Sequence, residues 1–233
     1  MKIYSKHRKH LVAVDSIIFG YDIHEKEIRL LVVKRSFNPA KGKWSLAGGF
    51  VEPGESLDVA ASRVLRNLTG LKDIFMKQLY CYGEPGRDPG ARVISVAYWT
   101  LIKIKDIDKK VTDRNGAHWQ TMKQMPKLIF DHPQMVERAL KELRLQIRIK
   151  PVGFELLPEK FTLVQLVDLY EAIYQRSFDK RNFRKKLLSM DVLDKLDEKE
   201  KETSKKGAYY YRFNKDRYKK FLKNGNYFNL DVD

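Results

Sequence analysis

Along the first half of the chain, apolar residues come in short β-branched runs separated by turn chemistry. Along the second half they recur at helical spacing. Leu11–Val14 and Ile17–Phe19, then Ile28–Val33 beyond the acidic turn Glu25-Lys26-Glu27, predict a hairpin. Trp44–Leu46 leads into Ala47–Val51, and Pro53-Gly54 closes a further turn. Ser56 to Asn67 reads as a helix: Ser56 caps it, Asp58 suits its positive end, and Val59, Ala60, Val64, Leu65 and Leu68 recur on one side. Gly70 stops it. Strands are predicted at Met76–Tyr82, Val93–Ile104 and Ala117–Gln120, the second apolar enough to be central and buried on both faces. Pro133–Ile147 is a second long helix with proline in its first turn. Cys81 and the methionines read as core. The alternation of strands and helices predicts an α/β domain over residues 1–149, with one sheet between helices.

Pro151-Val152-Gly153 and Leu157-Pro158 mark a boundary, and residues 150–233 follow a different rule. Thr162 caps a helix whose inner face is Leu163, Leu166, Val167, Leu169, Tyr170 and Ile173. Asp179 caps another, Lys180–Met190, in which Phe183, Leu187 and Leu188 leave one side basic. Asp191–Glu202 reads as a solvated acidic hinge, and Tyr209–Phe213 as a strand. Two helices joined by a short turn, then a β-ribbon with a lysine-rich tip, is the order of a winged helix-turn-helix.

Charge sharpens this picture. The 233 residues carry 46 Lys and Arg against 30 Asp and Glu, a net +16, which points to a polyanionic partner, nucleic acid first. The surplus is segregated: Lys180–Lys186 holds five positive charges in seven positions, and Lys205–Lys223 holds eight with Asp216 as the one acid. Apolar residues make up 43%, enough for a folded core, and no run approaches the roughly 18 apolar residues of a membrane helix. The basic start is followed only by the short Leu11–Gly20 run, interrupted by Asp15, so a secretory signal is not expected. One cysteine excludes an intrachain disulfide and a thiolate-rich zinc site. The chain reads as cytoplasmic, with no membrane partner.

Gly49, Glu55, Arg63, Leu65, Gly70 and Leu71 fall on the pattern of the Nudix box, G-x5-E-x7-R-E-U-x-E-E-x-G-U, with a helix in the expected place. In working members the box glutamates share one helix face and converge on a divalent metal that bridges a diphosphate. Here those positions are Val64, Asn67 and Leu68. Glu55 and Arg63 then read as a structural ion pair, and no catalytic residue, metal or cofactor is expected. A Nudix-like α/β/α sandwich with a mixed sheet, lacking its metal ligands and followed by a winged helix, resembles the Nudix-related transcriptional regulators. Lys34-Arg35 before Gly42–Leu46, Arg87–Val93, Phe130–Pro133 and Asp179–Lys185 carry the same resemblance. The family includes regulators that sense ADP-ribose-type nucleotides and regulators of sugar use, and the chain looks most similar to the arabinose-responsive branch. The resemblance implies an effector domain, an operator-binding winged helix and a homodimer. Two rivals stay open: a regulator that senses ADP-ribose, and a Mg²⁺-dependent hydrolase using Glu52, Glu55 and Glu84.

A pentose site needs an apolar face for ring carbons and side chains for hydroxyls. Trp44 and Phe50 are the candidates for the face. Asp15, Lys34, Arg35, Arg87 and Arg92 are the candidates for hydroxyls or, for a nucleotide effector, phosphates. His132 reads as a hydrogen bonder at a helix start. On the DNA side, Arg181 and Arg184 match guanine edges and Asn182 matches adenine. Lys180, Lys185 and Lys186 are assigned to phosphates, Thr162 to a phosphate at its helix start, and Lys205 and Lys206 to the wing tip. Phe183 belongs to the core.

Overall fold

The computed structural model describes residues 6–72, 74–107, 109–201 and 207–230. The strands and helices run in the order β1 (Leu11–Asp22), β2 (Glu27–Lys34), β3 (Trp44–Ser45), β4 (Ala47–Phe50), α1 (Leu57–Thr69), β5 (Lys77–Tyr82), β6 (Val93–Lys103), α2 (Lys109–Arg114), β7 (Ala117–Thr121) and α3 (His132–Ile149). They continue with β8 (Phe161–Thr162), α4 (Leu163–Tyr174), α5 (Lys180–Ser189), β9 (Leu193–Glu200), β10 (Ala208–Phe213) and α6 (Lys215–Lys223). Contacts divide the chain into two compact units. The first holds the chain up to Gly20 and Arg29–Ala139; the second holds Tyr21–Ile28 and the chain from Leu140 onward.

In the first unit a seven-stranded sheet runs β3-β2-β1-β6-β5, with β4 beside β1 and β7 beside β2. Val14 and Ile18 of β1 meet Ala60, Ala61, Val64 and Leu65 of α1 in one core cluster with Leu31, Val96, Tyr98 and Ile102. The intervening Asp15, Ile17 and Phe19 are equally buried. Successive strand residues point to opposite faces, so both faces of the sheet are covered, as the sandwich reading requires. The α1 caps are the expected ones: the Ser56 side chain accepts from the Val59 N–H, and Gly70 turns out at φ 75°. One expectation fails. Cys81 is exposed, because β5 is an edge strand with one wall in solvent.

The second unit joins α4 and α5 to a small sheet ordered β8-β10-β9. Thr162 and Gln165 form a reciprocal capping box at α4, and Asp179 accepts from the Arg181 and Asn182 N–H groups at the start of α5. Phe154 stacks on Phe213 at 4.6 Å, and Tyr170 packs on Phe183 at 5.0 Å, so Phe183 is core. Arg144 donates to the Ile173 and Tyr174 carbonyls, both at 3.1 Å, satisfying orphan acceptors at the end of α4. The described part of Asp191–Glu202, residues 191–201, is not a hinge. Leu193–Glu200 is β9, paired antiparallel with β10 from Phe213↔Leu193 to Ala208↔Glu200. Among the described residues, no helix is long and apolar enough to cross a membrane.

Candidate functional site

The first unit contains a cavity of about 670 Å³. Its apolar wall comes from Val33 of β2, Phe50 of β4 and Val64 and Leu68 of α1. Its lining carries the cations Lys34, Arg35 and Arg114, the last at the end of α2, together with the acids Asp88 and Asp113. The Arg35 guanidinium is held from behind, with Nε donating to the Pro39 carbonyl at 2.9 Å and the Phe37 ring 4.2 Å away. Phe37 and Phe50 are 58% and 51% exposed at the cavity, two apolar rings facing solvent where a planar ligand has reason to stack.

Beneath the rim lies a buried polar network. Arg87 donates to both carboxylate oxygens of Asp131, at 2.8 and 2.7 Å, and reaches Asp15 at 3.4 Å. Asp15 also accepts from the Ser95 hydroxyl at 2.6 Å. His132 accepts from the Leu46 N–H through Nδ1 at 2.9 Å and places Nε2 3.7 Å from Asp15. Burial pushes its imidazole below the ordinary histidine value, against the pull of Asp15 and Asp131. His132 is thus a neutral acceptor at the start of α3, as read from sequence.

The loop between β4 and α1 is fastened by Arg63. Its Nε and Nη2 donate to Glu55 at 3.0 and 2.6 Å, and Nη2 also donates to the Phe50 carbonyl at 2.9 Å. These hydrogen bonds hold the Glu55 carboxyl below the usual carboxylate range. The ion pair expected from the box is therefore present, and it sets Phe50 at the cavity. Val64, Asn67 and Leu68, at the box's glutamate positions, all line that cavity. Among the described residues no group of three or more His, Cys, Asp and Glu is placed to hold a metal ion, so Glu52, Glu55 and Glu84 do not gather as substitute ligands.

Of the sequence-predicted effector residues, Asp15, Lys34, Arg35, Phe50 and Arg87 line the cavity. Trp44 and Arg92 are outside its lining: the Trp44 ring meets His118 edge-on at 5.3 Å, and Arg92 donates to the Glu84 carbonyl at 3.4 Å. Phe37, Arg114 and Asn115 line it as well and were not anticipated, because they sit on loops and helix ends with no periodicity to mark them.

In the second unit α5 exposes Arg181, Asn182 and Lys185, with Arg184 and Lys186 half-buried beside them. Arg184 Nε is buried without a hydrogen-bond partner. Lys180 pairs with Glu171 of α4 at 3.0 Å. Thr162 is buried and its hydroxyl accepts from the Gln165 N–H, so its role is first that of a cap. Lys205 and Lys206 lie outside the described residues. Next to them, Tyr209 of β10 carries Lys195 and Lys199 of β9 over its ring, at 3.8 and 4.4 Å.

Residues 9–139 match the model of the NUDIX domain, and residues 153–213 match that of the NrtR DNA-binding winged helix domain. The chain is 31% identical over 207 residues to the ADPR responsive transcriptional repressor NtrR of Acinetobacter baylyi, covering 87% of this chain and 82% of that protein. It is 36% identical over 141 residues to the ADP-ribose pyrophosphatase of Methanocaldococcus jannaschii, over 60% of this chain and 79% of that one. Shewanella oneidensis NrtR, solved in complex with a 27mer DNA, has the same fold at a TM-score of 0.76 and 26% identity, over 94% of this chain and 99% of that chain.

Proposed function

The chain belongs to the Nudix family and carries an NrtR DNA-binding winged helix, and from that premise we propose that it is a transcriptional repressor whose Nudix cavity binds ADP-ribose. The cavity carries the reading. Its volume of about 670 Å³ falls in the range of sites that enclose drug-sized ligands, far more than one pentose ring fills. Lys34, Arg35 and Arg114 supply the fixed positive charge that a diphosphate needs and a free sugar does not. Phe37 and Phe50 offer faces for a base. The arabinose expectation therefore gives way to the nucleotide alternative, which is also the effector that names the Acinetobacter relative.

In this reading the ligand is sensed and not cleaved, because Val64 and Leu68 bring no oxygen to the place where a metal would stand on the diphosphate. The winged helix places α5 in the major groove, with Arg181, Asn182 and Arg184 on base edges and Lys185 and Lys186 on phosphates. Lys205 and Lys206 extend the wing, and the protein works as a homodimer on operator DNA in the cytoplasm.

Calorimetry of the full chain against ADP-ribose, L-arabinose and D-xylose tests the effector. Saturable binding of ADP-ribose, lost in Arg35→Ala and weakened in Phe50→Ala, is expected. Heat from a pentose alone would overturn it. Incubation with ADP-ribose and Mg²⁺ or Mn²⁺ tests the absence of turnover: accumulation of AMP would restore the hydrolase.

A further inference from the structure

The winged-helix match ends at residue 213, but the structure continues with α6, Lys215–Lys223. This helix is fastened to the DNA-binding unit. Asn214 caps it and donates to Asp194 at 2.9 Å, and Arg217 pairs with Asp191 at 2.7 Å, in the turn that follows α5. Tyr218 packs between Phe213 and Phe228, at 5.6 and 6.2 Å. Tyr218 and Phe221 are half-buried and take the inner side, Arg217 lies exposed at its edge, and Lys215, Lys219 and Lys223 recur every four residues as a stripe on the exposed side.

The N-terminal part of that stripe is electrostatically adverse to the helix itself, whereas Lys223, in the last turn, suits the dipole. Lysines four apart repel one another along it, and Lys215 stands in the first turn, where the helix dipole disfavours a cation. Among the described residues, Lys219 alone of the three pairs with an acid, Asp216 at 3.5 Å. The neighbouring acids Asp191 and Asp194 are already engaged by Arg217. A polyanion laid along the stripe offsets the repulsion and the first-turn penalty, and the lysines rise by about 6 Å per step along one inclined row of the helix.

Resting on the repressor reading, we propose that α6 is a second DNA contact, which grips the phosphate backbone of duplex flanking the segment read by α5. It adds affinity without sequence preference, since phosphate contacts position a protein and base contacts specify. Its occupant is the flank of the same duplex and not an acidic protein.

The test compares full-length wild type with Lys215→Ala/Lys219→Ala/Lys223→Ala. The probes are a binding site selected from a random duplex library, made in a short form and with added flanks. Wild type should bind the flanked duplex more tightly than the short one, and the triple variant should lose that gain. Its slope of log K against log salt should fall by about 0.9 for each contact removed, while its selected sequence stays the same. The variant removes repulsion and raises helix propensity, so its Tm should not drop. An unchanged slope and flank gain would overturn the α6 contact and leave the repressor reading intact. If wild type selects no sequence at all, both fall together.

Discussion

Arg87 and Arg35 are two cations of one cavity to which the proposed function gives opposite duties, and replacing each separates them. The Arg87 side chain is 4% exposed and makes two short bonds to Asp131 and a longer one to Asp15. Arg87→Met leaves two carboxylates in the interior without their counter-charge. Removing one partner of such a buried pair costs about 3–5 kcal/mol. A domain of roughly 130 residues loses about 3–4 °C of Tm per kcal/mol, so the expected drop is roughly 10–20 °C. Arg35 is half-buried, with one bond to a carbonyl and two rings, Phe37 and Phe130, beside it. Its loss should cost only about 1 kcal/mol of stability, yet abolish effector binding. All three tryptophans, Trp44, Trp99 and Trp119, belong to the first unit, so the thermal melt followed by their fluorescence reports on this domain. Asp131→Leu placed on top of Arg87→Met should recover part of the loss, which a double-mutant cycle measures. The division of duties is wrong if Arg87→Met melts within about 3 °C of wild type, or if Arg35→Ala lowers the Tm more than Arg87→Met does.

Three further outcomes are expected. Arg181→Ala should cost about 1–3 kcal/mol on the selected operator and little on random duplex, by fluorescence anisotropy at fixed salt; equal losses would make Arg181 a phosphate contact. Tyr209→Leu keeps both wing lysines but removes the ring that gathers them, so operator affinity should fall while Tyr209→Phe stays near wild type; a Leu variant as tight as wild type would remove the ring from the argument. His132 is neutral in the native state, while in the unfolded chain it takes up a proton at about pH 6.5. Its contribution is therefore complete above that pH and is lost as pH falls toward the lowered native value. Stability between pH 7.5 and 5.5 should consequently decline less in His132→Gln than in wild type, in urea melts at each pH.

Where a residue's local neighbours set its conformation, its place was legible in the sequence. Ser56, Thr162 and Asp179 cap the helices they were read to cap, and Arg63 and Glu55 pair across a loop whose length the box spacing already implied. Asp191–Glu202 was misread because β9 is a wing strand with much of its surface in solvent. Buried alternation is the usual sign of a strand, and here charges such as Asp197, Glu198 and Lys199 fill exposed positions. Pairing with the tyrosines of β10 determines it instead. The cavity was half legible. Lys34, Arg35 and Phe50 lie near the box in sequence, whereas Arg114 and Asn115 reach the same space only through the close of the sheet by β7. Trp44 shows the converse: it is near in sequence and aromatic, yet its ring is turned to His118.

The box positions show how one helix face can keep its structural work and change its chemistry. Val64 is in the core cluster and Leu68 packs against it, so α1 holds to the sheet through residues that in a working hydrolase would be mutually repelling acids gathered by metal. The exchange extends the apolar core to the wall of the cavity and takes from it the groups that would activate water on a diphosphate. For an enzyme this is a loss; for a sensor it is a requirement. Control of DNA affinity by a ligand depends on a difference in binding free energy between two states of the protein, and that difference acts only while the ligand stays bound. A site that cleaved its effector would empty itself at the rate of turnover and report flux. In the repressor proposed above, a site walled by Val64 and Leu68 releases the ligand as it received it, and its occupancy reports concentration.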